Sequence, residues 1–271
     1  MTIPLFEEAT ELHKQKKLKE AEALYDQLLT QNHDNPGLLA TLGSLYLETN
    51  QTGLAIHCME ASLAKYKATD KKGEDHGDIL SNLGLAYKYS GQREKALECF
   101  RRSIAKNPGS MALCNYGAMY IESDKAKDAI AIFKRALSID PSHAMSHWNL
   151  GVSLLEDGQW ETGWDEYEWG LETPMRIDRK LRKKPRWDGT PGKRVAVYGE
   201  QGIGDEIMFA SMLPDLLKTN EVVFECHTRL TTIFEKAFPG VPCYGTRESK
   251  EITWPDHEAF AYQISVGSLG K

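Results

Sequence analysis

The sequence predicts a mainly α-helical chain: about five helical hairpins over residues 2–173, a basic linker at 174–192, and a small, partial α/β domain at 193–271. Three observations predict it. A pattern of small and large residues recurs about every 34 residues through the first part. Five of the six tryptophans, Trp148, Trp160, Trp164, Trp169 and Trp187, crowd into the window where that pattern stops. After Gly192 the apolar periodicity changes from helical to strand-like.

The unit of the repeat is clearest from Leu83 to Pro108. Leu83, Gly84 and Tyr87 share one face of a first helix, Ser90-Gly91-Gln92 makes a turn, and Ala96, Phe100 and Ser103 share one face of a second helix ended by Asn107-Pro108. Gly84 and Ala96 are small where two helices must approach closely, and Tyr87 and Phe100 are large where the hairpin must fill space. The constellation returns as Tyr116-Gly117, Tyr120, Ala129, Phe133, Ala136 and Pro141, and again as Leu150-Gly151, Leu154, Gly163 and Tyr167. Upstream it reads Leu42-Gly43, Tyr46 and Ala55, and more faintly Ala9, Leu12, Ala21 and Tyr25.

These residues resemble the tetratricopeptide repeat in five copies, which implies a right-handed superhelix that binds proteins or peptides. The first copy carries Glu8 and Glu11 where later copies are apolar, as expected of a terminal repeat with one face in water. Between the second and third copies, Ala68 to Gly77 (ATDKKGEDHG) reads as a surface loop or helix end, the alternative being a contact site.

Composition narrows the partners. A content of 27% charged and 41% hydrophobic residues suits an ordinary globular protein, and a net charge of −6 argues against general nucleic-acid binding. The N-terminus lacks the basic start and apolar core of a signal peptide, and no apolar run is long enough to span a bilayer, so a cytoplasmic location is expected. Cys58, Cys99, Cys114, Cys226 and Cys243 are scattered without zinc spacing; they read as buried, reduced thiols, with no metal or other cofactor expected.

One column of the first helices stands out. Asn82, Asn115 and Asn149 each precede the Leu/Tyr-Gly pair, with Thr41 at the same place in the second copy. Stacked repeats would line these carboxamides along one groove, where each offers a donor and an acceptor to the backbone of an extended peptide; the alternative is that they bond to neighbouring helices or water. The column resembles the asparagine ladder of the O-linked N-acetylglucosamine transferase repeat domain. The neighbouring positions Ser81, Leu85, Cys114 and Ala118 lack the Lys or Arg of a carboxylate clamp.

The fifth copy reads Trp160-Glu-Thr-Gly-Trp164-Asp-Glu-Tyr167-Glu-Trp169, an aromatic density suited to docking another domain. With Pro185-Arg-Trp187-Asp-Gly189 it resembles the junction of bacterial proteins in which such repeats precede a GT-B glycosyltransferase, although Gly170 stands where that family has arginine. The run Arg176 to Arg186 between these markers reads as a solvated basic connector, the alternative being a phosphate or nucleic-acid site, against which stand the lack of interleaved aromatics and the acidic chain.

Beyond it, strand Val195–Tyr198, a glycine-rich turn, a helix over 205–218, strand Val222–Cys226, helix Leu230–Ala237 and a strand near Val241–Tyr244 imply a parallel Rossmann-like sheet. Its carboxyl ends carry Glu200, Gln201, Gly202, Gly204, Asp205 and His227. The turn, GxxGxGD, is neither a dinucleotide fingerprint nor a P-loop, and its carboxylates suit sugar or protein hydroxyls better than phosphate. Asp205 caps the helix or acts as a general base, and His227 is a loop residue or a ligand contact. GEQGIGDEIMFASMLPDL resembles the start of the GT-B domain and, more distantly, heptosyltransferases; that resemblance implies that Asp205 activates an acceptor. The nucleotide-sugar half of such a fold does not lie in these residues. The expected function is therefore a peptide-binding repeat module joined to an incomplete glycosyltransferase-like domain that transfers no sugar alone. The alternative is the acceptor-binding portion of a glycosyltransferase. That resemblance implies a fragment, a shortened relative or one part of a larger assembly.

Overall fold

The computed structural model describes residues 3–31, 35–69, 76–121, 125–249, 254 and 259–271. The middle of the Ala68 to Gly77 stretch lies outside them. Packing divides the chain into two units, Met1–Ser146 and His147–Lys271.

The first unit is four helical hairpins: α1 (Ile3–Lys14) with α2 (Leu18–Gln31), α3 (Pro36–Glu48) with α4 (Thr52–Thr69), α5 (Gly77–Tyr89) with α6 (Arg93–Lys106), and α7 (Ser110–Ile121) with α8 (Ala126–Ile139). Each first helix ends alike. The amides of Lys17, Gln51, Gln92 and Lys125 donate to the carbonyls of Leu12, Tyr46, Tyr87 and Tyr120, five residues back, as in a Schellman closure. That closure needs a left-handed residue, supplied by Lys16 (φ 62°), Asn50 (φ 60°) and Gly91 (φ 75°).

The small-against-large expectation is visible at atomic distance. A Cβ placed on Gly84 would lie 2.8 Å from the Phe100 ring, and one on Gly117 would lie 2.6 Å from the Phe133 ring. In the second hairpin Met59 fills the same place, 2.7 Å from a Cβ on Gly43. Ala96, Phe100, Ala129 and Phe133 are fully buried, as are Ala9, Ala21 and Tyr25 of the first hairpin. The second helices also hold the first by hydroxyls: Ser62 Oγ donates to the Pro36 carbonyl (2.6 Å) and Ser103 Oγ to the Gly77 carbonyl (2.7 Å).

The second unit takes in most of α9 (Ala144–Glu156), α10 (Trp160–Tyr167) and the sheet, so the division falls inside α9, upstream of the expected linker. Gln159 N donates to Leu154 O and Gly158 has φ 79°, so this hairpin turns like the others. Four parallel strands follow, β1 (Arg194–Tyr198), β2 (Glu221–Glu225), β3 (Cys243–Tyr244) and β4 (Tyr262–Ser265), in the order β3-β2-β1-β4. β4 was not anticipated from sequence. Val195 pairs with Val222 on one side and Tyr262 on the other, and Val195, Ala196 and Val197 are fully buried. The helix expected over 205–218 is two helices, α11 (Ile203–Ala210) and α12 (Leu213–Leu217). Pro214 explains the break, since it lacks an N–H and tolerates only the first turn of a helix, where α12 places it. A further helix, α13 (Thr231–Ala237), connects β2 to β3.

All five cysteines are buried and outside any disulfide, and among the described residues no helix is long and apolar enough to cross a membrane.

Candidate functional site

The first unit offers a polar column on its first helices. Asn82 on α5 is half-buried and donates from Nδ2 to Ser44 Oγ on α3 (3.1 Å), so the carboxamide reaches the preceding hairpin. Its Oδ1 is an acceptor. One hairpin on, the Asn115 carboxamide is half-buried on α7 with no side-chain hydrogen bond among the described residues. Thr41 Oγ1 donates to the Gly37 carbonyl of its own helix (3.0 Å) and is thereby occupied. Asn149 belongs to the second unit, half-buried on α9.

The second unit concentrates charge at the carboxyl ends of its strands. Glu200, just beyond β1, is fully buried and holds Arg176, also fully buried, through Nη2 (2.6 Å) and Nε (3.0 and 3.1 Å). Arg176 Nη2 also donates to Ser265 Oγ (2.9 Å) and Ser268 Oγ (2.7 Å), while Nη1 donates to the Tyr167 carbonyl (3.2 Å). Glu225, the last residue of β2, accepts from Arg179 Nη2 (2.7 Å) and Nε (2.9 Å). Glu206 on α11 accepts from Arg247 Nη1 (2.7 Å) and the His227 amide (2.8 Å). Each buried carboxylate thus has its own guanidinium, as a low-dielectric interior requires. Burial pushes the Glu200 and Glu206 carboxyls above their ordinary value, against the downward pull of those arginines. Gly199 makes room for one of them: a Cβ there would sit 2.4 Å from the Glu206 carboxylate.

The basic segment is therefore no solvated connector along its whole length. Arg176, Arg179 and Leu181 are drawn into the sheet's core, because the glutamates ending two buried strands must be neutralised. Sequence reasoning missed these arginines. The available signal was an acidic residue within or directly after an apolar strand, at Glu200 and Glu225, which demands a cation from elsewhere.

The other expected loop residues separate. Gln201 takes a left-handed backbone (φ 58°), and its Oε1 accepts from Tyr167 Oη (2.9 Å). Gly202 is the N-cap of α11, and its amide donates to Asp205 Oδ2 (3.0 Å), so Asp205 sits one turn inside the helix, not at the cap. Gly204 is exposed. His227 Nδ1 accepts from the Arg229 amide (3.1 Å) and Nε2 lies 3.2 Å from Glu248. Asp205 and Gln201, but not Glu200 or His227, line an open apolar groove of about 450 Å3 together with Trp148, Trp160, Trp164 and Phe209. Trp164 packs edge-on against Tyr167 (5.4 Å) and Phe209 (6.2 Å), and Trp160 is 62% exposed at the rim.

Comparison with known proteins places the repeats. The tetratricopeptide repeat family matches at residues 77–110 and 112–143. In solved structures the chain resembles PilW, a widely conserved type IV pilus biogenesis factor (TM-score 0.55, 16% identity, covering 66% of this chain and 80% of that one). It also resembles TTC0263, a thermophilic tetratricopeptide protein of Thermus thermophilus (TM-score 0.53, 18% identity, covering 68% of this chain and 96% of that one). The chain therefore carries tetratricopeptide repeats. Over 131 residues it is 34% identical to Protein FlbA of Caulobacter vibrioides, covering 45% of this chain and a fifth (20%) of that protein's length.

Proposed function

We propose that the chain is a protein-interaction module whose repeats hold an extended polypeptide segment by its backbone. The carrying observation is the pair of half-buried carboxamides, Asn82 and Asn115, at equivalent points of neighbouring hairpins; Asn82 Oδ1 and the whole Asn115 amide can bond a peptide backbone of any sequence. Asn149 repeats the position in the fifth hairpin and Thr41 in the second. The test is selection from a displayed random-peptide library, followed by titration of the selected peptide. Each net hydrogen bond contributes about 0.5–1.5 kcal/mol. Alanine at Asn82, Asn115 and Asn149 together is thus expected to weaken binding by roughly 1.5–4.5 kcal/mol, about tenfold to a thousandfold. Equal affinity in the triple variant would remove the reading.

A second reading, the acceptor-binding portion of a nucleotide-sugar-dependent glycosyltransferase with a GT-B, Rossmann-like domain, is favoured by Asp205 at the aromatic groove, where aromatic faces suit a sugar and a carboxylate suits a hydroxyl. In that reading Asp205 is the general base, with Gln201, Gly202 and Gly204 shaping the acceptor loop, and Glu200 and His227 behind it. The sugar donor would be held by a part outside these residues. Sugar transfer that is restored by such a part and lost in Asp205→Asn separates it from the first.

A further inference from the structure

Beside the arginines that serve the buried carboxylates, four other cationic residues of the basic segment form a strap that does something different. Lys180, Lys183, Lys184 and Arg186 line one concavity of about 390 Å3 with Tyr198 and Gln263. Unlike Arg176 and Arg179, the three lysines form no ion pair with any described residue, whereas Arg186 is engaged by Glu168. Glu172 and Asp178 also line the cavity, so with Arg186 held by Glu168 the lysines outnumber the carboxylates by three to two.

The strap is built, not draped. Gln263 of β4 accepts from the Leu181 amide at Oε1 (2.6 Å) and donates from Nε2 to the Lys184 carbonyl (2.7 Å). Its backbone bonds Pro185 O (3.0 Å) and Trp187 N (2.9 Å), so this residue fixes both ends of the lysine run against the sheet edge. Within the run Lys180 (φ 46°) and Lys183 (φ 54°) adopt the left-handed region that non-glycine residues avoid. Holding two lysines in that conformation costs free energy that the Gln263 bonds and buried Leu181 must offset.

We propose that this concavity is a binding site for a small phosphate-bearing anion. Lysines among the lining residues suit a tetrahedral oxyanion, which a compact ammonium can approach from several directions, whereas a planar carboxylate is better matched by a forked guanidinium, and Arg186 already has its carboxylate. Glu172 and Asp178 suit hydroxyls on the organic part of such a ligand. The site is independent of the peptide and acceptor readings, since it shares no residue with the asparagine column or the aromatic groove.

The probe is inorganic pyrophosphate titrated calorimetrically into the full chain, with citrate as the polycarboxylate comparison. One-to-one binding is expected, weakening as salt is raised and stronger than that of citrate. The variant carrying Lys180→Gln, Lys183→Gln and Lys184→Gln should bind at least about tenfold more weakly. A control carrying Lys127→Gln and Lys134→Gln on α8 should bind as the parent does, and both variants should keep the parent melting temperature. Gln263→Ala, which frees the strap but keeps every charge, should also weaken binding. No binding at millimolar pyrophosphate, equal loss in the α8 control, an unaffected lysine variant, or citrate bound as tightly as pyrophosphate would each overturn the assignment.

Discussion

The same substitution, glycine to alanine, should change sign along this chain according to what the new methyl meets. At Gly53, early in α4, nothing lies within 4 Å of the added Cβ, and the backbone is ordinary helix. Alanine there is expected to stabilise by about 0.4–1 kcal/mol, by restricting the unfolded chain. At Gly84 the methyl would lie 2.8, 2.9 and 3.1 Å from three atoms of the Phe100 ring, which is fully buried and cannot swing into solvent. Overpacking of that kind costs about 1–3 kcal/mol, against about 1 kcal/mol gained in helix propensity, so the net should be a loss of up to about 2 kcal/mol. At Gly151 the obstacle is backbone: the methyl would lie 2.4 Å from Tyr167 N, and α9 and α10 would have to part by roughly 1 Å to restore van der Waals contact. Its loss should be the largest, about 2 kcal/mol or more. Urea denaturation followed by helical circular dichroism reads all three. Phe100→Leu in the Gly84→Ala background should recover part of the loss, a coupling of about 0.5 kcal/mol or more. If Gly84→Ala stabilised as Gly53→Ala does, or if its cost simply added to that of Phe100→Leu, the close crossing would not be what fixes these glycines.

Two further expectations concern the second unit. Trp164→Ala removes a half-buried ring that touches Tyr167 and Phe209 and occupies the space beside Gly270, and should cost up to about 3 kcal/mol, less than a fully buried tryptophan would; an unchanged thermal midpoint would show that α10 and the sheet are held by other contacts. Arg176→Leu leaves Glu200 buried without its cation and should cost about 3–5 kcal/mol at neutral pH. Burial already raises the folded-state pKa of Glu200, so folding binds its proton more tightly than the unfolded chain does, and stability falls as pH rises from the unfolded value of about 4.3 through the folded one. Losing the arginine raises the folded value further. The variant should therefore regain stability on acidification from pH 7.5 to 5.5 more than the parent does, and Glu200→Gln in the same background should abolish that gain. A pH-independent deficit would mean that Arg176 matters only for packing.

The repeats were legible because their physics is local. A hairpin needs small residues where its helices cross and large ones beside them, and both lie within one period, so Gly84 with Phe100 and Gly117 with Phe133 are visible as spacing alone. The left-handed closure could be read at Gly91 and Gly158, but not at Lys16 or Asn50, whose residue types do not announce a positive φ. The sheet was partly legible: β1 and β2 are apolar runs, whereas β4 mixes Gln263 and Ser265 into a strand whose polar side chains bond the strap and Arg176. What sequence could not show was pairing at a distance. Arg176 and Glu200 are 24 residues apart, and Arg179 and Glu225 are 46 apart; a basic run reads the same whether its members face water or a buried glutamate.

That pairing decides which chemistry the second unit can offer. An open parallel sheet presents its carboxyl edge to ligands, and by residue type this edge would seem a cluster of carboxylates suited to hydroxyls or metal. Glu200, Glu206 and Glu225 are instead each neutralised by an arginine and shielded from solvent. Freeing any of them to act on a substrate would break a buried ion pair, at a cost of about 3–5 kcal/mol. They are therefore braces: Arg176 ties Glu200 to the Tyr167 carbonyl at the end of α10, to Ser265 at the end of β4 and to Ser268 beyond it, while Arg179 ties the strap to β2. With those three braced, the charged groups that line the two open concavities described above include Asp205 at the aromatic groove and the lysines of the strap.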